Sequence, residues 1–107
     1  MGEQARRGRA RLTAEDGAGV LVVSLEGELD IGGVADIQPA LDRVLRCPAR
    51  PLELDLSGLA FLDSSGVAVL IRLANQFGGA RISAVTSPVR RVLEVLGLSR
   101  RFGLDGS

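Results

Sequence analysis

Two neighbouring hydroxyl groups lie at the centre of the sequence. Ser64 and Ser65 follow the carboxylate Asp63 and precede Gly66, between two apolar runs. If a helix begins here, Asp63 or Ser64 can accept hydrogen bonds from its first free N–H groups, and such a cap is worth about 1 kcal/mol. Capping accounts for one polar residue but not for Ser65, because Ala would form the first turn equally well. A simple helix cap and a chemical role for the second hydroxyl are therefore both open.

A phosphate ester is the chemistry that such a position favours. Free N–H groups and the positive end of a helix dipole suit an anion, so a phosphoserine would be tolerated without unfolding of the helix. The phosphate would add a charge of about −1.5 to −2 at pH 7 and would repel a partner packed on this helix. The pattern is therefore compatible with a switch in binding.

The composition disfavours catalysis by these hydroxyls. The chain contains neither His nor Lys, and all thirteen basic residues are Arg. Ser-His triads, imidazole metal ligands, P-loop lysines and Schiff-base lysines are thereby excluded. The segment L-D-S-S-G also differs from the G-x-S-x-G nucleophile elbow. With Cys47 as the single cysteine, we expect no enzymatic activity, no cofactor and no metal site.

Length and charge indicate one domain that binds protein. A chain of 107 residues, 46% of them hydrophobic, has room for a single core. Thirteen basic residues balance thirteen acidic ones, so no net field attracts nucleic acid or a membrane, and a protein partner is expected. The absence of a signal peptide and of an apolar run near roughly 20 residues predicts a cytoplasmic protein without membrane insertion. The Arg-rich residues 1–11 are predicted to form a flexible tail and residues 12–107 the domain.

Apolar patterns predict the strands that must position the hydroxyl pair. Leu12 begins a possible first strand, which ends in a turn at 16–19. Residues 20–26 form a β-branched run typical of a central strand, and residues 52–57 alternate between Leu and polar side chains. A further strand is predicted over 82–85.

Helical spacing of apolar residues predicts three helices. The first follows Asp30 and ends before Pro48, the second runs from the hydroxyl pair to Gly78, and the third is capped by Ser87 and ends at Gly97. Their inward-facing residues are Val34, Ile37, Leu41, Val44 and Leu45; Val67, Leu70, Ile71, Ala74 and Phe77; and Val89, Val92, Leu93 and Leu96. The alternation of strands and helices predicts an α/β sandwich with a mixed, largely parallel sheet of four to five strands and helices packed on it.

Three segments carry a resemblance to a known family. They are G-E-L-D at 27–30, L-D-L-S-G-L-A-F-L-D-S-S-G-V at 54–67 and S-P-V-R-R-V-L-E-V-L-G-L at 87–98. In this order they closely resemble STAS domains, specifically bacterial anti-sigma factor antagonists, from about Leu12 to Phe102. The resemblance implies a STAS-like sandwich.

The resemblance also implies a partner-switching function. In that family the unphosphorylated antagonist binds an anti-sigma factor that is also a serine kinase, which releases the sigma factor. The kinase then phosphorylates the second Ser of D-S-S-G, and a serine phosphatase reverses the reaction. By motif position the phosphoacceptor is Ser65, and the expected partner-binding residues are Asp30, Asp63, Ser64, Ser65 and Gly66. A monomer or weak dimer is expected, and Asp30→Ala should weaken kinase binding with little effect on stability, because Asp30 is expected in a loop.

The resemblance leaves two alternatives and includes two departures. A STAS subunit of a lipid-transport ABC system would look similar, although such subunits often lack a phosphorylatable second Ser, and a stress-signalling scaffold would form large complexes.

At Ile31-Gly32-Gly33 the chain departs from the family pattern. The two adjacent glycines predict a mobile loop before the first helix. The sequence stops at Ser107, so the C-terminal helix of many relatives is expected to be short or absent.

Overall fold

The computed structural model describes residues 9–104. Within them the elements are β1 (Ala10–Gly17), β2 (Val20–Leu29), α1 (Ile31–Leu45), β3 (Leu52–Leu62), α2 (Ser64–Phe77), β4 (Arg81–Val85), α3 (Ser87–Val95) and a 3₁₀ helix (Arg100–Phe102). The strands lie in the order β1-β2-β3-β4; β1 is antiparallel to β2, whereas β2, β3 and β4 run parallel. The predicted α/β fold with a mixed, largely parallel sheet is confirmed, with four strands in the described part of the chain.

The first strand begins earlier than the sequence pattern suggests. Ala10 is buried and pairs with Gly27 of β2, so β1 starts two residues before the predicted position. The backbone carbonyl of Arg9 accepts a hydrogen bond from the N–H of Glu28 (2.8 Å). Residues 10 and 11 therefore belong to β1 rather than to the predicted tail, and residues 1–8 lie outside the described residues.

β3 extends to Leu62, beyond the predicted end at residue 57, and its pairing with β2 is irregular. Its register with β2 advances by an extra residue at two places, as β-bulges do. The buried leucines are spaced by two up to Leu56 and then by three, to Leu59 and Leu62. The period-two pattern is lost at these bulges, and for that reason the prediction ended the strand at residue 57.

The hydrophobic core joins the sheet to all three helices. α1 packs against β1, β2 and α2, while α2 and α3 both pack against β3. The largest fully buried side chains are Phe102, Leu25, Leu29, Ile37, Leu41, Leu54, Leu56, Leu59, Leu70, Leu73 and Leu93. Most inward positions predicted from helical spacing are buried. Val34, Leu45, Ile71 and Val92 are only partly buried, and Leu96 is 53% exposed.

The start of α3 differs from the prediction by one residue, whereas its end at Gly97 agrees with it. Its N-cap is Thr86 rather than Ser87, and no side chain caps the helix. The Thr86 hydroxyl instead donates a hydrogen bond to the Leu59 carbonyl (2.8 Å), which ties the start of α3 to β3. The helix ends with Leu96 as its C-cap, followed by Gly97 in the left-handed region (φ 73°).

Candidate partner-binding site

Two helix N-termini lie next to each other at one edge of the sheet. β2 and β3 are parallel neighbours, and Leu29 pairs with Leu62 at their carboxyl ends. Each strand is followed directly by an aspartate, Asp30 or Asp63, which forms the N-cap of the next helix. The structure therefore brings Asp30 and the D-S-S-G segment to the same edge.

Asp63 is the residue that caps α2. Its Oδ1 accepts hydrogen bonds from the backbone N–H groups of Ser65 (2.9 Å) and Gly66 (3.4 Å), and its carbonyl accepts one from the N–H of Val67 (2.9 Å). Of the two capping residues that the sequence left open, the structure selects Asp63 rather than Ser64. Both hydroxyl groups are thereby left out of the cap.

The two serines form the first turn of α2 in different environments. Ser64 is exposed and Ser65 is half-buried. Within residues 9–104, neither hydroxyl takes part in a hydrogen bond. Because Asp63 already satisfies the helix start, these hydroxyls are available for chemistry or for contact with a partner.

Asp30 caps α1 and is also ion-paired. Its Oδ1 accepts a hydrogen bond from the N–H of Gly33 (2.8 Å), and its Oδ2 lies 3.2 Å from Nη1 of Arg9. The same Arg9 nitrogen lies 3.2 Å from Oε1 of Glu28. The predicted mobile loop at Gly32-Gly33 is wrong, because both glycines form the first turn of α1.

Buried glycines allow both helix starts to pack closely on β2. A Cβ on Gly66 would overlap the carbonyl oxygen of Leu29, and a Cβ on Gly33 would overlap that of Glu28. The prediction includes Gly66 among the partner-contacting residues, but the structure buries it. Gly66 therefore has a structural role. It lets α2 approach β2 closely, and this close packing sets the position of Ser64 and Ser65.

An apolar groove opens beside the serines, between α2 and α3. It has a volume of about 350 Å³ and is lined by Asp63, Ser64, Val67, Arg91, Val92, Val95 and Leu96. Val95 is 77% exposed and Leu96 is 53% exposed, which is unusual for large aliphatic side chains. Sequence analysis missed the groove, although the apolar residues of α3 already occupy more than one helix face.

Two further apolar side chains are exposed at the same edge. Ile31, 76% exposed, is the first residue of α1, and Phe61, 48% exposed, lies near the end of β3. Phe61 pairs with Glu28 in the sheet. Together with the groove they give this edge a mixed surface of apolar side chains, hydroxyls and charges, which is typical of a protein-protein contact.

The sequence of this region matches a known protein family. The family model described as "Mlab, STAS domain" matches residues 12–104. This chain belongs to the STAS domain family. The match includes nearly all of the described STAS domain, with both helix starts and the groove.

Several relatives of this STAS domain are regulators of sigma factors by name. An anti-sigma F factor antagonist from Paenibacillus polymyxa is 36% identical over 93 residues, which cover 82% of this chain and 80% of the relative. The crystal structure of an anti-sigma factor antagonist from Mycobacterium paratuberculosis is 32% identical, with a TM-score of 0.72 over 87% of this chain and 82% of that one. The structure of the antagonist SpoIIAA in its unphosphorylated form, 22% identical with a TM-score of 0.67 over 84% of each chain, supports the fold. The predicted STAS fold is thus confirmed.

Across residues 9–104, no helix has both the length and the apolarity to cross a bilayer.

Proposed function

We propose that this STAS domain is an anti-sigma factor antagonist whose contact with an anti-sigma factor is ended by phosphorylation of Ser65. The partner is an anti-sigma factor that also acts as a serine kinase, and a serine phosphatase restores the binding form. The observation that carries the proposal is the unbonded Ser65 hydroxyl in the first turn of α2, beside a groove with exposed apolar side chains. The names of the similar proteins from Paenibacillus polymyxa and Mycobacterium paratuberculosis support the same class of function.

In this proposal, the α2 cap keeps a phosphate on Ser65 at the protein surface. The N–H groups of Ser65 and Gly66 already donate to the Asp63 carboxylate, so they do not neutralise a phosphate on Ser65 unless that cap opens. The added charge, about −1.5 to −2 at pH 7, stays at the surface next to a second negative group. A partner seated on this edge therefore meets like charge and a larger side chain, while the core beneath it is unchanged.

The kinase must supply the catalytic base for this transfer. The Oγ of Ser65 attacks the γ-phosphorus of ATP, the bond from that phosphorus to ADP breaks, and the hydroxyl proton goes to a base. This chain has no His, and Oδ1 of Asp63 accepts the capping hydrogen bonds, so the proposal assigns the base to the kinase. In the proposal this chain is the substrate of the reaction and not its catalyst, and hydrolysis of the phosphoserine by the phosphatase regenerates the hydroxyl.

The proposal is tested by affinity capture and phosphate mapping. Wild type, Ser65→Ala and Ser65→Asp are used as baits in extract of the source bacterium, and Ser64→Ala is the matched control at the neighbouring hydroxyl. We expect wild type, Ser65→Ala and Ser64→Ala to retain an ATP-dependent kinase that binds a sigma factor, and Ser65→Asp to lose it. With ATP, mass spectrometry should place phosphate on Ser65 of wild type and Ser64→Ala only.

Other results would contradict the proposal. Phosphate that remains in Ser65→Ala would remove Ser65 as the acceptor. Recovery of the same transporter subunits by all baits would replace the proposal with a STAS subunit of a lipid-transport ABC system, and retention in a very large complex would favour a stress-signalling scaffold. Ser65→Asp should keep the thermal unfolding midpoint of wild type within a few degrees, because the capping and dipole interactions at this position are worth only about 0.3–2 kcal/mol.

A further inference from the structure

α3 has a second apolar surface, formed by Val92, Val95 and Leu96, that the core uses only in part. Val89 and Leu93, four residues apart, are fully buried and hold the helix against the domain. Val92 is half-buried and packs against the core, whereas Val95 and Leu96 at the end of the helix are 77% and 53% exposed. A helix that only covers a core needs one apolar stripe. The exposure of Val95 and Leu96 on the second surface is therefore not explained by packing in the core.

This second surface is continuous with the start of α2. Val92, Val95 and Leu96 form one side of the groove of about 350 Å³, and Val67 lies within the same groove. Ser64 lines it as well, so the groove begins directly at the D-S-S-G segment. Its volume is near the lower limit for pockets that bury a ligand, which suits one or two aliphatic or aromatic side chains rather than a whole helix.

The charge at the groove comes from Arg91. Within residues 9–104, Arg91 makes no ion pair, and the positive end of the α2 dipole lies at the same groove. Among the described residues that line the groove, Asp63 alone carries a carboxylate, and its Oδ1 accepts the hydrogen bonds of the α2 cap. The rim thus offers an unpaired cation next to an apolar floor, and its complement is a carboxylate beside an apolar side chain.

From these observations we infer that the groove receives an apolar side chain of the anti-sigma factor and that Arg91 pairs with a carboxylate next to that side chain. The inference rests on the proposed function and extends it to a second contact. Continuity with Ser64 places this contact beside the phosphorylation site. A phosphate on Ser65 would then act in two ways, because it repels the partner's carboxylate and offers Arg91 an anion within this chain.

Arg90 provides a matched control for Arg91. The two arginines are adjacent on α3, but Arg90 borders a different cavity, with Ile82 and Gly103, and its Nη1 donates to the Leu104 carbonyl at 3.4 Å. Arg90→Glu and Arg91→Glu therefore make the same change in net charge beside two different cavities of the same helix. Val95→Asp changes the apolar floor, and Val95→Ile keeps it apolar.

The test measures affinity by titration calorimetry with the purified anti-sigma factor kinase that phosphorylates Ser65. We expect Arg91→Glu and Val95→Asp to raise Kd at least ten-fold, equivalent to 1.4 kcal/mol, while Arg90→Glu stays within about two-fold. Val95→Ile, which keeps the floor apolar, should bind more tightly than Val95→Asp. The effect of Arg91→Glu should shrink at high ionic strength, since the ion pair is partly exposed. Thermal unfolding of each variant verifies that it is folded, which the exposure of Val95 favours.

The outcomes separate this inference from the proposed function. If wild type binds the kinase and all four variants bind equally well, the groove contact is wrong and the phosphorylation switch stands. If wild type binds no anti-sigma factor, both fall. If sedimentation shows a dimer of this chain that Val95→Asp dissociates, the occupant is a second copy and the inference is overturned.

Discussion

The two helix starts at the edge of the sheet share one six-residue frame, L-D-I-G-G-V at 29–34 and L-D-S-S-G-V at 62–67. In each frame Leu ends a strand, Asp caps the helix, and Gly lies against a backbone carbonyl of β2. The N–H of the final Val donates to the carbonyl of the capping Asp, at 2.8 Å in the first frame and 2.9 Å in the second. The frame is therefore a structural solution that the chain uses twice.

The frames differ in the two residues at their centre. Ile31 and Gly32 occupy these places in the first frame, and the capping carboxylate there is covered by Arg9. Ser64 and Ser65 occupy them in the second, where their hydroxyls form no hydrogen bond within residues 9–104 and the apolar groove lies alongside. In both frames, Asp and Gly therefore form the helix start, whereas the central pair of residues determines which side chains are exposed there to a partner.

The largest effect is expected when the frame glycines gain a side chain. Gly33→Ala and Gly66→Ala should each lower the free energy of unfolding by about 1–3 kcal/mol, because the new Cβ would overlap a backbone carbonyl that cannot move freely. A loss near 2 kcal/mol lowers Tm by roughly 10 °C. Gly32→Ala is the control, since its Cβ would meet only the flexible side chain of Arg9. Equal melting of all three variants would show that the close approach is not what the frame requires.

A smaller effect is expected when the caps are removed. Asp63→Ala and Asp30→Ala should each cost about 1 kcal/mol, with the greater loss at Asp63, which accepts two N–H groups where Asp30 accepts one. The sequence-based expectation that Asp30→Ala leaves stability almost unchanged is replaced, because Asp30 caps α1. Denaturant unfolding measures both losses, and the Asn variants, which can still cap, should recover most of the stability. If the Asn variants were as unstable as the Ala variants, charge rather than capping would explain the result.

The ion pair that covers only the first frame contributes less. Arg9→Ala should change the free energy of unfolding by about 0–1 kcal/mol, because the side chains of Arg9 and Glu28 are 38% and 53% exposed. The difference from wild type should decrease as salt is added. Arg11→Ala is a suitable comparison, since Arg11 pairs with Glu26 at the longer distance of 3.8 Å. A large loss that does not depend on salt would mean that Arg9 stabilises α1 by packing.

The smallest effect concerns a carboxylate that caps neither helix. Hydrogen bonds from the backbone and side chain of Ser57 lower the pKa of Asp55. Because the pKa is lower in the folded state, this stabilisation is present above the unfolded pKa of about 3.9 and is lost as the pH falls through the folded pKa. Asp55→Asn should therefore lose less stability than wild type upon acidification, as unfolding curves at neutral and acid pH would show. Identical acid dependence would remove Asp55 as a contributor.

Local sequence patterns predicted the elements and the position of the serines correctly. The alternation of Leu52, Leu54 and Leu56 gave the start of β3, and the apolar spacing from Val67 to Phe77 gave α2 with the hydroxyl pair at its start. These features depend on residues that are close in the chain, where period and capping preference act directly. The same patterns failed where β3 bulges, because a bulge is decided by pairing with β2 and not by β3 alone.

The sequence by itself determined the α/β order of this STAS domain, its core-facing residues and the D-S-S-G helix start. Only the tertiary structure decided that Gly33 and Gly66 lie against carbonyls of β2, that Arg9 covers Asp30, and that Val95 stays exposed on α3. Each of these depends on atoms from elements far apart in the chain. Local propensity does not specify such contacts, because they exist only once β2 and β3 lie in parallel and bring two helix starts to one edge.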